Sequence, residues 1–111
     1  MSSTINYDDF SKVDIRIGTI VEVEDFPQAR NPAFKLNIDF GDLGYRKSSA
    51  QITTLYSKEE LLNKKVVAVV NFPAKQIANF KSECLVLGAV DGEDVMLLFP
   101  AEEVKNGSIV S

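Results

Sequence analysis

The 111-residue chain has no histidine and a single cysteine, Cys84. The commonest general base and imidazole metal ligand is therefore missing. One cysteine cannot close an internal disulfide or build a tetrahedral zinc site. No G-x-x-x-x-G-K-[ST], G-x-G-x-x-G or G-x-S-x-G motif occurs, so the usual phosphate cradles and nucleophile elbow are absent. The acidic pairs Asp8-Asp9 and Glu59-Glu60 are adjacent on short helices and point in different directions, which suits no acid/base dyad. The stretch DGED at 91–94 is too short for an EF-hand loop, and Ser48-Ser49 has no local base. These absences argue against an enzyme and against any metal or cofactor. No apolar run approaches the roughly 20 residues that span a bilayer, so membrane insertion is not expected. The opening MSSTINYDDF lacks the basic-then-apolar order of a secretory signal. Cys84 begins an apolar run and reads as a small buried hydrophobe, and a cytoplasmic setting fits.

What is present is ordinary for a globular domain: 45% hydrophobic and 25% charged residues, enough for one domain over 1–111 with one core. The net charge of −4 is unevenly distributed. Residues 30–81 hold nine basic and four acidic side chains, a basic centre in an acidic chain. A polyanion binder needs a patch rather than a high average. The fold decides whether these charges share a face or form a mixed solvated surface.

Residues 1–5 are small, polar and terminal and read as disordered. In 6–12, NYDDFSK, Asn6 can cap a short helical turn whose first turn holds Asp8 and Asp9. Tyr7 and Phe10 share a face of that turn. They need a surface to pack on, either the barrel end or a partner subunit. Residues 13–25 alternate, with Val13, Ile15, Ile17, Thr19, Val21 and Val23 on one side. Gly18 inside this long strand predicts a bulge or sharp bend. Pro27 and Pro32 bracket a loop carrying Arg30. In 34–40, Phe34, Leu36, Ile38 and Phe40 alternate with Lys35, Asn37 and Asp39. A turn at 41–44 leads to a third strand, 45–50, carrying Arg46, Lys47, Ser48 and Ser49. Ser57 and Glu60 form a capping box for a helix running through Leu62. The β-branched run 66–70 predicts a strand buried on both faces, and 85–87 a second. A turn at 91–94 and a last strand at 95–99 follow. Pro100 closes that strand, and the tail has a further turn at Asn106-Gly107. Three strands, a helix that plugs one end, then two or three strands is a small all-β barrel. The order fits the five-stranded oligonucleotide/oligosaccharide-binding (OB) barrel, with an SH3-like barrel or small sandwich as alternatives.

The connection between the two buried strands is the most informative stretch. It concentrates Asn71, Pro73, Lys75, Asn79, Lys81, Ser82 and Glu83. Pro73 drives Phe72 toward an extended conformation. Cations beside Phe72 and Phe80 on a sheet rim are what a single-stranded nucleic-acid or peptide site requires. A solvated loop with both phenylalanines in the core accounts for the same residues. Phe26, Phe72 and Phe80 all lie at strand ends, where they either line a peptide groove or plug the core.

The pattern NFP–K–––FKSE–LVLG, with SSAQIT upstream and PQARNPAFKLNIDFG before it, resembles the CsaA family of export-related chaperones. That family is related to the tRNA-binding domains appended to some aminoacyl-tRNA synthetases. The resemblance covers residues 10–107. It implies an OB barrel with short terminal extensions at 6–12 and 100–111, a homodimer, and binding of unfolded or precursor polypeptide or of tRNA. Carried onto matching positions, it implies contacts from Asn71, Lys75, Lys81, Ser82 and Glu83, with Arg30, Lys35, Arg46 and Lys47 as a surrounding basic rim. The synthetase-appended domains typically carry Asn-Leu-Lys-Pro and Ser-Glu-Gly-Met. Here Asn71-Phe72-Pro73 lacks that lysine, and Cys84-Leu85 replaces Gly-Met, departures that follow the CsaA side. The expected function is an ATP-independent chaperone of protein export, with a tRNA- or structured-RNA-binding module as the alternative.

Overall fold

The computed structural model describes residues 3–111, so part of the expectation for 1–5 lies outside the described residues. The first element is α1, Tyr7–Ser11. Its cap is reciprocal: Asp9 N donates to Asn6 Oδ1 at 3.0 Å, and Asn6 N donates to Asp9 Oδ2 at 3.3 Å. The helix buries none of its residues, and Tyr7 and Phe10 face outward with ring centroids 6.4 Å apart.

A five-stranded antiparallel sheet curls into an OB-type barrel. Its strands are β1 (Ile15–Asp25), β2 (Phe34–Asp39), β3 (Tyr45–Ala50), β4 (Lys65–Val69) and β7 (Leu85–Val86), in the spatial order β3-β2-β1-β4-β7. Strand β1 starts two residues later than the alternation of 13–25 implied, because α1 ends at Ser11 and Val13 N still bonds back to Phe10 O. Its first half pairs with β4, from Ile15↔Val69 to Thr19↔Lys65. Its second half pairs with β2, from Thr19↔Asp39 to Asp25↔Phe34. One long strand thus serves both halves of the barrel.

The bend is not a bulge at Gly18. The register slips between Ile20 and Glu22, so the extra residue is Val21. That slip corrects the reading of faces. Ile20, assigned to the polar side by strict alternation, is fully buried in the core beside Leu36, Ile38 and Phe40. Gly18 serves close packing instead. A Cβ there would stand 2.6 Å from Ile38 Cγ2 and 2.7 Å from the Phe40 ring.

Helix α2, Lys58–Leu61, stands between β3 and β4 and closes one barrel end with Leu61, which has no exposed surface. Its Ser57–Glu60 capping box forms as the sequence implies, with Glu60 N donating to Ser57 Oγ at 3.2 Å and Ser57 N to Glu60 Oε1 at 2.9 Å. In β4, Val66 and Ala68 face the core. Val67 and Val69 pair with Ile17 and Ile15, and all but Ile15 of these are buried. A tail segment, 107–110, fills the edge of β1 that β2 leaves free. Gly107 N donates to Ile17 O at 2.7 Å and Val110 N to Ile15 O at 2.8 Å. Arg16 holds this tail, donating to Gly107 O at 3.0 Å while pairing with Asp14 at 2.6 Å.

Three elements depart from the sequence reading. The basic connection is not a loop but a hairpin of β5 (Lys75–Ile77) and β6 (Phe80–Ser82), turning at Ala78-Asn79. The strand expected at 85–87 shrinks to β7, an edge strand of two residues whose Leu85 is 49% exposed rather than buried. The last strand, β9 (Asp94–Leu97), pairs with an unforeseen β8 (Gly88–Asp91) around Gly92.

Candidate binding site

The barrel's two edge strands, β3 and β7, are not hydrogen-bonded as a ladder. A short run ahead of β7 stitches the seam. Glu83 N donates to Lys47 O at 2.7 Å, and Lys47 N donates to Glu83 Oε1 at 2.9 Å. Ser49 N donates to Ser82 Oγ at 3.2 Å. The buried Ser48 hydroxyl donates to Cys84 O at 3.0 Å. Ser82 and Glu83 therefore use their polar atoms on the fold. So does Asn71, whose Oδ1 accepts from Asp14 N at 3.0 Å and whose Nδ2 donates to Lys12 O at 2.7 Å. Arg46 is turned along the barrel edge and donates to Val70 O at 3.2 Å.

The seam carries the β5–β6 hairpin outward, and a depression opens on each side of it. At the hairpin's base lies a mainly apolar groove of about 290 Å³, lined by Phe72, Pro73, Lys75, Ser82, Glu83, Cys84 and Leu85. Phe72 is 56% exposed, an aromatic that the fold leaves in water. Cys84 forms part of the wall, yet the residue is only 7% exposed, and burial pushes its thiol pKa up to about 12. It presents an apolar surface, not a thiolate.

At the hairpin's tip lies a polar cleft of about 170 Å³, lined by Glu22, Glu24, Lys35, Leu36, Asn37, Lys47 and Phe80. Phe80 meets Phe26 edge-on at 5.4 Å, and the Lys35 ammonium sits 5.6 Å from the Phe26 centroid and 5.9 Å from that of Phe80. The three aromatic candidates thus separate. Phe72 lines the groove, Phe80 lines the cleft, and Phe26 is 3% exposed and braces Phe80 from inside. Lys75 and Lys81 stand on the hairpin, Lys47 on β3, and Arg30 in the exposed loop before β2. Among the described residues, neither these four nor Lys35 forms an ion pair. The hairpin gathers Lys75, Lys81, Lys35 and Lys47 around one edge of the barrel and leaves Arg46 tied into its frame. Leu85, Pro73, Glu22, Glu24 and Asn37 were not read as site residues. The outward position of Asn37 was visible in the alternation of 34–40, but the hairpin that makes it a cleft wall was not.

Residues 15–109 match the family described as "Putative tRNA binding domain". The chain belongs to this family. It is similar to the methionine–tRNA ligase of Pyrococcus abyssi, with 42% identity over 106 residues. That alignment covers 96% of the chain but only 14% of the ligase. Among solved structures it is similar to the chaperone CsaA of Bacillus anthracis, at 52% identity and a TM-score of 0.94, covering 98% of this chain and all of that one. The CsaA chaperone of Picrophilus torridus is 58% identical with a TM-score of 0.91, covering 97% and 100%. The chain is thus similar to solved chains that it spans end to end and to one segment of a much longer ligase. Among the described residues, no helix is long and apolar enough to cross a membrane.

Proposed function

We propose that the chain is an ATP-independent chaperone that holds unfolded or precursor polypeptides for export, acting in the cytoplasm as a homodimer. The observation that carries this reading is the groove at the hairpin base. It offers Phe72, Pro73 and Leu85 to solvent, and Lys75 and Glu83 on its rim keep the free protein soluble. An extended segment can lay an apolar side chain against Phe72 while its backbone meets the charged rim. The similarity to CsaA chaperones along the full chain supports the same reading. The chain works by binding, not catalysis, in keeping with a family named for binding. With no nucleotide-binding motif, capture and release are at equilibrium.

The homodimer rests on apolar surface that one chain leaves uncovered. Ile5, Tyr7, Phe10 and Val13 are exposed at one end of β1, and Ile109 of the tail bridges to Arg16 beside them. A two-fold axis through this end would place two grooves on one particle. Two grooves at fixed spacing gain avidity on a long unfolded chain through effective concentration. The test compares polypeptides carrying one and two apolar segments, by calorimetry and by suppression of aggregation. Two-segment substrates should bind more tightly by about a hundredfold or more, the range expected for linked sites. Equal affinities would remove the avidity mechanism.

A second reading, RNA binding, is favoured by the family description and by the unpaired lysines around the hairpin. Phosphate contacts make affinity fall steeply with salt, whereas apolar capture barely responds. Parallel salt titrations with tRNA and an unfolded polypeptide separate the two. If only tRNA binds, with a steep slope, the function moves to RNA.

A further inference from the structure

The cleft at the hairpin tip is chemically unlike the groove at its base, and the chaperone reading leaves it unused. Its floor is the outer face of three strands. Glu22 lies opposite Asn37, Glu24 opposite Lys35, and Asn37 opposite Lys47. Two carboxylates and two ammoniums thus share one cleft, yet among the described residues they close no ion pair with each other. Glu22 Oε1 accepts from Asn37 Nδ2 at 2.9 Å. This bond fixes the amide, so Asn37 Oδ1 faces the other way, and that oxygen is buried with no hydrogen-bond partner among the described residues. A buried acceptor without a donor is a standing cost to the fold. Lys35 and Lys47 line the same cleft.

We propose that this cleft seats one unstacked guanine of a single-stranded RNA segment, an inference that rests on the RNA-binding reading. Four features select that ligand. At about 170 Å³ the cleft is below the roughly 300 Å³ at which sites for drug-sized ligands begin, and it suits one planar ring system. Phe80 supplies a stacking wall, held in place by Phe26 before any ligand arrives. Glu24 has no hydrogen-bond partner for its carboxylate among the described residues, so both oxygens can accept. Guanine is the standard base with two adjacent donor groups on its Watson–Crick edge, N1–H and the N2 amine, beside the O6 acceptor. One carboxylate takes N1–H and one amino hydrogen, which leaves the second amino hydrogen for Asn37 Oδ1 and O6 for a lysine. Adenine and cytosine offer a single donor group there, and uracil one imide N–H between two carbonyls. The flanking phosphates would run over Lys47 and Lys81, exposed on β3 and β6.

The experiment measures anisotropy of labelled heptanucleotides at one fixed salt concentration: seven uridines, and the same strand with guanine, inosine or adenine at the centre. The guanine strand should bind about tenfold more tightly than the uridine strand, the discrimination typical of a bidentate base contact. Inosine, which keeps N1–H and O6 but lacks the amine, should fall between. Glu24→Gln should abolish the guanine preference, the guanine and uridine strands then binding equally, with circular dichroism unchanged. Phe72→Ala, in the other groove, should leave the preference intact. Equal affinity for all four strands overturns the proposal, and so does a guanine preference that survives in folded Glu24→Gln. If tRNA binds but the heptanucleotides show no preference, the cleft is refuted while RNA binding stands. If neither RNA binds, both readings fall.

Discussion

Phe26, Phe72 and Phe80 look alike in the chain, each an aromatic beside a proline, a cation or a turn. Their environments divide them. Phe26 lies behind Phe80 with 3% of its surface exposed, so removing its ring leaves a hole. Phe26→Ala should destabilise the fold by about 3–5 kcal/mol, the cost of truncating a buried phenylalanine. Phe72, more than half exposed, should lose less than about 1 kcal/mol as Phe72→Ala, while weakening capture of unfolded polypeptide severalfold. Urea unfolding beside a binding titration separates the two. A Phe72→Ala protein that unfolds as easily as Phe26→Ala would place Phe72 in the frame instead of the groove. Polar residues divide in the same way. The family resemblance implied ligand contacts from Asn71, Ser82 and Glu83. Their partners, at Asp14, Lys12, Ser49 and Lys47, are more than 30 residues away in the chain. No local pattern announces such bonds. The placement of Lys75 and Lys81 on the connection between β4 and β7 was legible because it needs no distant partner.

At the scale of elements, what was legible is what depends on near neighbours. The Asn6 cap, the Ser57–Glu60 capping box, the alternation of β2 and the bounds of β3 follow from residues within a few positions of each other. The hairpin β5–β6 escaped because its strands are three residues long and its turn is Ala78-Asn79, with no glycine although Ala78 stands at φ 52°. The bulge at Val21 escaped because register is a property of two strands, and only pairing with β2 reveals it. The α2 cap gives an element-scale test with a definite sign. Hydrogen bonds from the Ser57 backbone and side chain hold the Glu60 carboxyl below its ordinary value. A carboxylate whose folded pKa is depressed contributes stability above its unfolded pKa, and loses it as pH falls through the folded pKa. Stability should therefore decline on acidification below about pH 4.5, Glu60's ordinary pKa, with part of that decline missing in Glu60→Gln. Ser57→Ala should cost about 1 kcal/mol at neutral pH. Parallel acid titrations of stability for wild type and Glu60→Gln check the sign. Identical slopes would show that the box does not hold in solution.

The whole molecule presents three surfaces in a fixed relation: apolar termini at the start of β1, an apolar groove at the hairpin base, and lysines around the hairpin. The barrel joins them rigidly, because one strand, β1, pairs with the tail, with β4 and with β2 along its length. Association through the termini would therefore set the distance between two grooves without moving either. The helix α1 is suited to this role and to no other visible one. It is capped at its start by Asn6 and held at its end by Asn71, which donates to Lys12 O, yet none of its residues is buried. A five-residue helix gains little from propensity alone and needs a packing surface. Replacing Tyr7 and Phe10 together by Ser removes apolar area without touching the core. In light scattering at micromolar concentration the wild type should give twice the chain mass, and the double variant one chain mass with an unchanged melting profile for the barrel. Binding of a single-segment peptide should survive in the variant, while the advantage of the two-segment chain disappears. A wild type that scatters as a monomer rejects the dimer outright. A double variant that stays dimeric moves the interface from α1 to the β8–β9 hairpin and the residues just after it, where Val90, Met96, Leu98 and Phe99 form another exposed apolar set.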